Sequence, residues 1–307
     1  MGGSRGWPIP RICPDMHPIL FEVPLIDFPI RSFGVMVVLG FLAGTHWFTR
    51  MGERWAVDLE AERPGLESTP LWVLIGVIAG ARLMYVAVEV LQGTPTGQGF
   101  VDDPFSVLFV HRGGLVMYGG AFGAILAGWW ATRKHGLRVA HTVDLGLISG
   151  FLGLSIGRVG CLLVGDDFGS LVPERWEGLP FPITLRVPEV LPEQSLFGQD
   201  NAGQLLWCTQ IWMSLNALML AGIGRWLLSR RRYCGQVSLQ VLLLYSFGRY
   251  AIESFRGDSI RGLWFGGAIS TSQLISIALG LGCLTVLVLL RGRTEDGAAP
   301  PARETKE

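Results

Sequence analysis

The stretch PLWVLIGVIAGARLMYVAVEVL, residues 70–91, decides the fold class. Its only charged residues are Arg82 and Glu89, and a helix needs about 20 largely apolar residues to cross a bilayer. The stretch therefore predicts a transmembrane helix. The composition of the whole chain agrees, because half of its 307 residues are hydrophobic and only 16% are charged. A soluble domain usually carries about 25% charged residues.

Apolar stretches of similar length lie on both sides of this one. The predicted spans, in order, are Ser32–Thr49, Pro70–Leu91, Gly114–Ala131, Thr142–Val164, Gly203–Leu228, Gln236–Glu253 and Ile269–Leu290. The first span is short, and the fourth contains the charged residue Arg158. We expect an all-α polytopic membrane protein with about seven transmembrane helices.

Basic residues in the loops predict the orientation, because Lys and Arg are enriched in cytoplasmic loops. The loops after the first, third, fifth and seventh spans contain Arg50, Arg54, Arg63, Arg133, Lys134, Arg138, Arg230, Arg231, Arg232, Arg291 and Arg293. The opposite loops, which are longer, contain Arg112, Arg175, Arg186, Arg256 and Arg261. With an odd number of spans, the N-terminus is predicted outside and the C-terminus in the cytoplasm.

The spans divide the chain into three segments. Residues 1–31 form an outer N-terminal segment, residues 32–290 form the transmembrane domain, and the polar tail 291–307 is expected to be disordered in the cytoplasm. Within the domain, residues 166–202 form a long outer loop rich in Pro, Glu and Gly, which is predicted to be a small cap or arm.

The composition also excludes several classes of function. The net charge is zero, so the chain offers no basic field and nucleic acid is not an expected partner. The five cysteines lack CxxC pairing and metal-ligand spacing, so neither a disulfide framework nor a zinc site is expected. No metal or cofactor is assigned to the chain. No internal repeat is present, and inverted repeats with broken helices are the usual signature of transporters.

Charged residues within the spans are candidates for a functional site, because an ionisable group at membrane depth is costly unless it is paired or solvated. Arg249 and Glu253 are four residues apart and therefore share one face of a helix. They could form an ion pair that only stabilises the bundle. Arg158 has no acid within one turn on its N-terminal side. It is predicted to be unpaired and to suit an anionic ligand such as phosphate.

Arg82 is a second isolated charge, in GARLMYV. It is expected either to extend its side chain to the interface or to pair with Glu89, which lies seven residues later on the same face.

Glycines cluster beside these charges in HRGGLVMYGGAFG (111–123) and GRVGCLLVGDDFG (157–169). In membrane helices glycine usually allows close helix packing. Beside an arginine at the end of a span it also lets backbone N–H groups approach a lipid headgroup. Tyr118 lies between two Gly-Gly pairs, where a tyrosine is more often an interfacial anchor than a catalyst.

At these motifs the sequence resembles bacterial prolipoprotein diacylglyceryl transferases. The resemblance runs from residue 17 to about residue 290. The matching pieces, in order, are HPILFEVPLIDFPIRSFGVM, GARLMYV, DPFSVLFVHRGGLVMYGGAFG, GRVGCLLVGDDFG and GRYAIESFRGD. The family moves a diacylglyceryl group from phosphatidylglycerol to the lipobox cysteine of a prolipoprotein and releases glycerol phosphate. Its fold has seven helices with the N-terminus outside.

The resemblance implies a role for each candidate residue. Residues 32–290 would be the catalytic domain, in the bacterial inner membrane with its outer segments in the periplasm. The partners would be phosphatidylglycerol, prolipoprotein signal peptides with a lipobox, and membrane lipid. The implied catalytic residues are Tyr118, Arg158, Arg249 and Glu253. The implied substrate-binding residues are Arg158, Arg249, Arg256, Asp166, Gly119, Gly120 and Gly169, and Asp258 completes the last motif.

The sequence departs from the family at several of these positions. Tyr118 replaces a histidine proposed as the base in many members, and Cys161 replaces the usual asparagine. Asp166 replaces a glutamate. The family's HPTQLYE motif is here WCTQIWM, residues 207–213, so that His, Pro and Glu are lost together.

Three hypotheses follow. The first is the transferase, with Arg158 and Arg249 holding phosphate. The second is a lipid-binding paralogue that kept the fold and lost transfer activity, which the altered 207–213 motif would favour. The third is a transporter of small anions or lipids, against which the absence of repeats argues.

Overall fold

The computed structural model describes residues 17–23, 28–109, 113–192, 194–257 and 262–294, and it is mostly helical. The helices in this part of the chain are α1 (Ser32–Trp55), α2 (Leu59–Leu91), α3 (Pro95–Asp102), α4 (Met117–Lys134), α5 (Val139–Val164), α6 (Thr209–Leu228), α7 (Gln236–Glu253) and α8 (Thr271–Leu289). Each predicted span overlaps one of these helices. The short helix α3, with eight residues, lies outside the predicted spans.

Five of these helices, α1, α2, α5, α6 and α8, are long and apolar enough to cross a membrane. The fold is therefore that of a polytopic membrane protein, as predicted. Helices α4 and α7 have 18 residues each. Their charged residues lower the apolar content, because α4 ends on Arg133 and Lys134 and α7 contains Arg249 and Glu253.

Several predicted helix boundaries were wrong, and α1 ends at Trp55 rather than Thr49. Helix α2 begins at Leu59 rather than Pro70, because Asp58 caps it by accepting a hydrogen bond from the Ala61 amide at 3.2 Å. Helix α6 begins at Thr209 rather than Gly203, because the residues just before it form a β-strand.

Short strands form three two-stranded antiparallel sheets among the described residues. The strands are β1 (Ile19–Val23), β2 (Phe28–Arg31), β3 (Thr184–Arg186), β4 (Leu205–Trp207), β5 (Leu263–Trp264) and β6 (Ile269–Ser270). The pairs are β1 with β2, β3 with β4, and β5 with β6. The pairing of β3 with β4 closes the long segment between α5 and α6 on itself.

That segment folds around an apolar core of its own. The buried residues of this core are Leu162, Leu185, Val187, Leu191, Phe197, Leu206 and Cys208. All but Leu162 belong to the segment, and Leu162 comes from the end of α5. Residues 165–208, which we call the cap, thus pack around a small core of their own.

The chain divides into two compact units. Among the described residues, the first unit contains those up to Trp47 and those from Gly146 onward, and the second contains Phe48–Leu145. The boundaries fall within α1 and α5.

Glycines allow the helices of the first unit to approach closely. A Cβ atom added to Gly40 of α1 would lie 2.5 Å from the carbonyl oxygen of Gly153 in α5. A Cβ on Gly224 of α6 would lie 2.8 Å from the Ile148 side chain. Neither position has room for a larger residue, and the glycines here serve packing.

The second unit is built on the pairing of α2 with α4. Gly76 and Gly80 of α2 face Gly119 and Gly123 of α4, and a Cβ on any of the four would overlap a backbone carbonyl of the opposite helix. This is the small-residue packing that membrane helices use in place of a hydrophobic driving force.

Candidate active site

Arg158 forms an ion pair with Asp167, through its Nη1 and the Oδ2 of the carboxylate. The prediction that Arg158 is unpaired was therefore wrong. Helix α5 ends at Val164, and positive φ angles of 79° at Gly165 and 55° at Asp167 turn the chain back toward the helix. An acid that lies beyond the helix end in sequence thus returns to the arginine in space.

A second arginine binds the other oxygen of the same carboxylate. Arg256, which follows α7, places its Nη2 2.5 Å from Oδ1 of Asp167. An antiparallel bridge between Gly169 and Arg256 brings the two segments together. The Asp167 carboxylate thus lies between two guanidinium groups that come from segments far apart in the sequence.

These charges control the ionisation of Asp167. Burial would by itself raise the pKa of this carboxyl, but the guanidinium groups of Arg158 and Arg256, with Arg249 further away, outweigh that effect. The pKa of Asp167 is therefore held below its ordinary value, and the carboxylate is ionised at neutral pH.

Arg249 and Glu253 form the ion pair predicted from their spacing, with Nη1 2.8 Å from Oε2. The pair is well buried, since the exposed fractions of the two side chains are 14% and 2%. The Nη1 of Arg249 also contacts Sδ of Met213 at 3.8 Å. Met213 is the last residue of the altered 207–213 motif.

The two polar residues kept in that motif hold the turn that contains Asp167. The Thr209 hydroxyl donates to the Asp167 carbonyl at 2.8 Å, and Nε2 of Gln210 donates to the Asp166 carbonyl at 3.0 Å. Both side chains are fully buried.

The aromatic residues of the motif form a separate cluster. Trp207, Trp212 and Phe255 are in mutual contact, with ring centroids 5.3 to 5.6 Å apart. The tryptophans that replace the family's histidine and tyrosine thus pack beside the segment that leads to Arg256.

The two other site residues predicted near the cap have different surroundings. Gly169 donates its amide to the Trp207 carbonyl at 3.1 Å, and a Cβ there would overlap the Trp207 backbone, so the glycine is needed for this close approach. The Asp166 carboxylate accepts the Asp167 amide at 2.8 Å.

Asp166 also lines a cavity of about 350 Å³. The other residues that line this cavity are Pro18, Arg31, Phe33, Gly34, Val164, Gln194 and Leu196.

Tyr118, Gly119 and Gly120 belong to the second unit, at the start of α4. The Tyr118 side chain is 54% exposed. Gly119 is buried against Gly80 and Met84 of α2, and Gly120 faces Val77 and Ala81 on the same helix. The two glycines thus serve helix packing, and their contact with substrate stays a prediction.

Arg82 neither extends to the interface nor pairs with Glu89, and both expectations were wrong. The residue is 5% exposed, and its guanidinium donates to the backbone carbonyls of Ser106, Val107, Phe109, Gly113 and Gly114, at 2.7 to 3.5 Å. The Glu89 carboxylate instead accepts the Thr94 hydroxyl. Arg82 therefore ties the segment before α4 to α2.

The site of the first unit combines positively and negatively charged side chains. Three guanidinium groups, those of Arg158, Arg249 and Arg256, lie beside two carboxylates, those of Asp167 and Glu253. Guanidinium groups recognise phosphate through parallel hydrogen bonds. Within the described residues, no group of three or more His, Cys, Asp or Glu side chains could hold a metal ion.

The family model for prolipoprotein diacylglyceryl transferase matches residues 18–289 of the chain. The chain belongs to this family. The relatives include the phosphatidylglycerol–prolipoprotein diacylglyceryl transferases of Enterococcus faecalis, Geobacter sulfurreducens and Gloeobacter violaceus. Their identities to this chain are 27%, 28% and 28%. The matches cover 87%, 91% and 83% of this chain and 88%, 97% and 87% of the relatives.

The sequence reasoning missed the acid that organises the arginines. The resemblance to the prolipoprotein diacylglyceryl transferase family pointed to Asp166, whereas the ion pairs are made by Asp167. One signal was present, because Asp tolerates a positive φ and Asp167 lies two residues after Gly165, the glycine that follows α5. Asp258 lies outside the described residues.

Proposed function

We propose that this protein transfers the diacylglyceryl group of phosphatidylglycerol to the lipobox cysteine of prolipoproteins. The observation that carries the proposal is the convergence of Arg158 and Arg256 on one carboxylate, with Arg249 beside them, in a chain of this family. The reaction acts on a lipid with one phosphate, and three guanidinium groups suit that phosphate.

The arginines would act where charge develops. The thiolate attacks the glycerol carbon that carries the phosphate ester, a C–S bond forms and the C–O bond breaks. The departing glycerol phosphate takes the electron pair, and the thiol proton goes to a base. Guanidinium groups placed beside the leaving phosphate stabilise that charge in the transition state. In this proposal Arg158 and Arg249 bind the phosphate, Glu253 orients Arg249, and Tyr118 is the base or a headgroup contact.

The proposal includes a membrane topology. Seven spans, the five apolar helices together with α4 and α7, cross the inner membrane with the N-terminus outside. The ends of α5 and α7 and the start of α6 then lie on the outer face, where the cap covers the site. Phosphatidylglycerol in the outer leaflet and the lipobox of an exported prolipoprotein both reach this face.

A transfer assay tests the proposal directly. Purified protein in liposomes is mixed with phosphatidylglycerol and a lipobox peptide, and the thioether-linked diacylglyceryl peptide is measured by mass spectrometry. The variants are Arg158→Ala and Arg158→Lys. The control is Arg175→Ala, which removes an exposed arginine of the cap. We expect product from the wild type and the control, and a loss of about a hundredfold or more in Arg158→Ala.

Two other outcomes would contradict the transferase. If phosphatidylglycerol binds and Arg158→Ala abolishes binding, but no product forms, the chain is the lipid-binding paralogue suggested by the altered 207–213 motif. If neither binding nor product is found, the phosphate site itself is refuted.

A further inference from the structure

The turn that contains Asp167 is fixed at several points of its backbone. Its carbonyl accepts the Thr209 hydroxyl, its amide donates to the Asp166 carboxylate, and the preceding carbonyl accepts the Gln210 amide. The carbonyl of the next residue, Phe168, accepts the Gly257 amide at 3.2 Å. The backbone that carries the Asp167 carboxylate is therefore fixed by hydrogen bonds from α6 and from the segment after α7.

A carboxylate held in this way defines where two arginines lie. Each of its oxygens binds one guanidinium, Arg158 from α5 and Arg256 from the segment after α7. The two arginines come from elements that are far apart in sequence. The Asp167 side chain contacts both.

We propose that Asp167 is the positioning residue of the phosphate site. Its carboxylate sets the distance and orientation of the Arg158 and Arg256 guanidinium groups, and Thr209 and Gln210 in turn set its backbone. The proposal rests on the proposed function and adds to it. It assigns a role to Asp167, a position that the resemblance to the family did not single out, and to the retained part of the 207–213 motif.

One buried atom points to a ligand at this place. The Nε of Arg158 is buried and has no hydrogen-bond partner among the described residues, although the Nη1 of the same guanidinium is bound by Asp167. A phosphate oxygen at the Nε edge would satisfy this donor. Arg158 would then bind Asp167 along one edge and the phosphate along the other.

The alternative to a positioning role is that the Asp167 carboxylate competes with the phosphate for the two arginines, so that the phosphate must displace it. Fixation of the turn argues against it, because displacement would require the clamped backbone to move. The two roles predict opposite effects of Asp167→Asn. Removal of a competing charge strengthens the binding of a phosphate, whereas removal of a positioning carboxylate weakens it because the guanidinium groups lose their common partner.

The test measures the binding of glycerol 1-phosphate to the purified full chain in detergent, by titration calorimetry, beside the transfer assay. The variants are Asp167→Asn, Asp167→Glu, Thr209→Val and Thr209→Ser. The control Asp200→Asn removes an exposed carboxylate of the same cap. We expect Asp167→Asn to weaken glycerol 1-phosphate binding roughly tenfold or more, since a charge-assisted hydrogen bond is lost at each arginine.

The other variants separate positioning from a general loss of structure. Thr209→Val keeps the shape but loses the hydroxyl, so we expect weaker glycerol 1-phosphate binding, which Thr209→Ser restores. In the transfer assay the KM for the lipobox peptide should stay within about twofold of wild type while kcat falls. Thermal unfolding identifies any variant that does not fold. If Asp167→Asn fails to fold, the Thr209 pair decides.

Three results would overturn the proposal. They are equal or tighter glycerol 1-phosphate binding by Asp167→Asn, equal effects of Thr209→Val and Thr209→Ser, and no binding by the wild type. Glycerol 1-phosphate binding by a wild type that transfers nothing would refute the transferase but would leave the role of Asp167 open to the same measurement.

Discussion

Glu253 and Asp167, both among the described residues of the first unit, form ion pairs with arginines in different surroundings. The Glu253 side chain is 2% exposed and binds Arg249 within a single helix. Asp167 is more exposed, at 21%, and binds arginines from two different elements. Loss of one partner of a buried pair leaves an uncompensated charge, which costs far more than the loss of a surface pair. The two acids therefore give distinct predictions.

Glu253→Gln should destabilise the protein by roughly 3 kcal/mol, because it leaves the buried Arg249 without its carboxylate. The matched control is Glu67→Gln, which breaks an exposed pair with Arg63 of the same i,i+4 spacing and should cost at most about 1 kcal/mol. Unfolding in mixed micelles with increasing denaturing detergent measures both. Equal losses for the two variants would contradict the buried-pair argument.

Asp167 predicts a pH dependence of stability. Its folded pKa lies below the ordinary value of 3.8, so its stabilising contribution is fully present above that value and is lost as the pH falls through the folded pKa. The difference in unfolding free energy between the wild type and Asp167→Asn should be constant from about pH 5 to pH 8 and shrink below about pH 4. A difference that already declines at pH 6 would show that the pKa is not depressed.

For single residues, the sequence predicts ion pairs within one helix and misses ion pairs that a turn brings together. The pair of Arg249 and Glu253 follows from the period of a helix. The pair of Arg158 and Asp167 depends on two consecutive changes of backbone direction at the end of α5, and spacing alone does not encode them. The partners of Arg82 are carbonyl groups, which every residue has, and no side-chain pattern reveals them.

Among the elements, α2 and α4 make the closest contact in the second unit, and glycine makes it possible. A Cβ on Gly80 would overlap the Gly119 carbonyl and lie 2.9 Å from Cα of Gly123.

The sequence predicts the positions of the spans well, because mean hydropathy is averaged over a whole helix. The helix ends are predicted poorly, because single capping groups such as Asp58 decide them.

Gly80→Ala should therefore separate α2 from α4 and destabilise the protein by about 1–3 kcal/mol, as expected for overpacking. The control is Gly282→Ala in α8, where a Cβ meets nothing within 4 Å. That change should be neutral, or should stabilise by up to about 1 kcal/mol through helix propensity. Thermal unfolding of the purified variants compares the two, and a neutral Gly80→Ala would refute the close contact.

For the whole molecule, the decisive quantity is the orientation in the membrane. The cap and the beginning of α2 are predicted on opposite faces, because the basic residues concentrate after the first, third, fifth and seventh spans. Hydropathy and charge predict this arrangement without reference to the site, whereas the location of the site depends on tertiary contacts.

One added cysteine at a time tests the orientation, in a chain whose Cys13 and Cys234 are replaced by serine because the other three cysteines are buried. Glu177→Cys in the cap should react with a membrane-impermeant maleimide added to spheroplasts. Glu60→Cys at the start of α2 should react only after the membrane is permeabilised. Both positions are exposed in the structure. Labelling of Glu60→Cys from outside would reverse the proposed topology.

The hydrogen bonds from Arg82 to backbone carbonyls have a consequence for how this protein can evolve. In the part of the segment before α4 that the structure describes, the hydrogen bonds of Arg82 go to backbone oxygens, those of Ser106, Val107, Phe109, Gly113 and Gly114. Ser106, Val107 and Phe109 can therefore be exchanged without loss of the anchor, while Arg82 itself cannot. Drift in that segment is tolerated as long as its length is conserved, so insertions and deletions should be rarer there than substitutions.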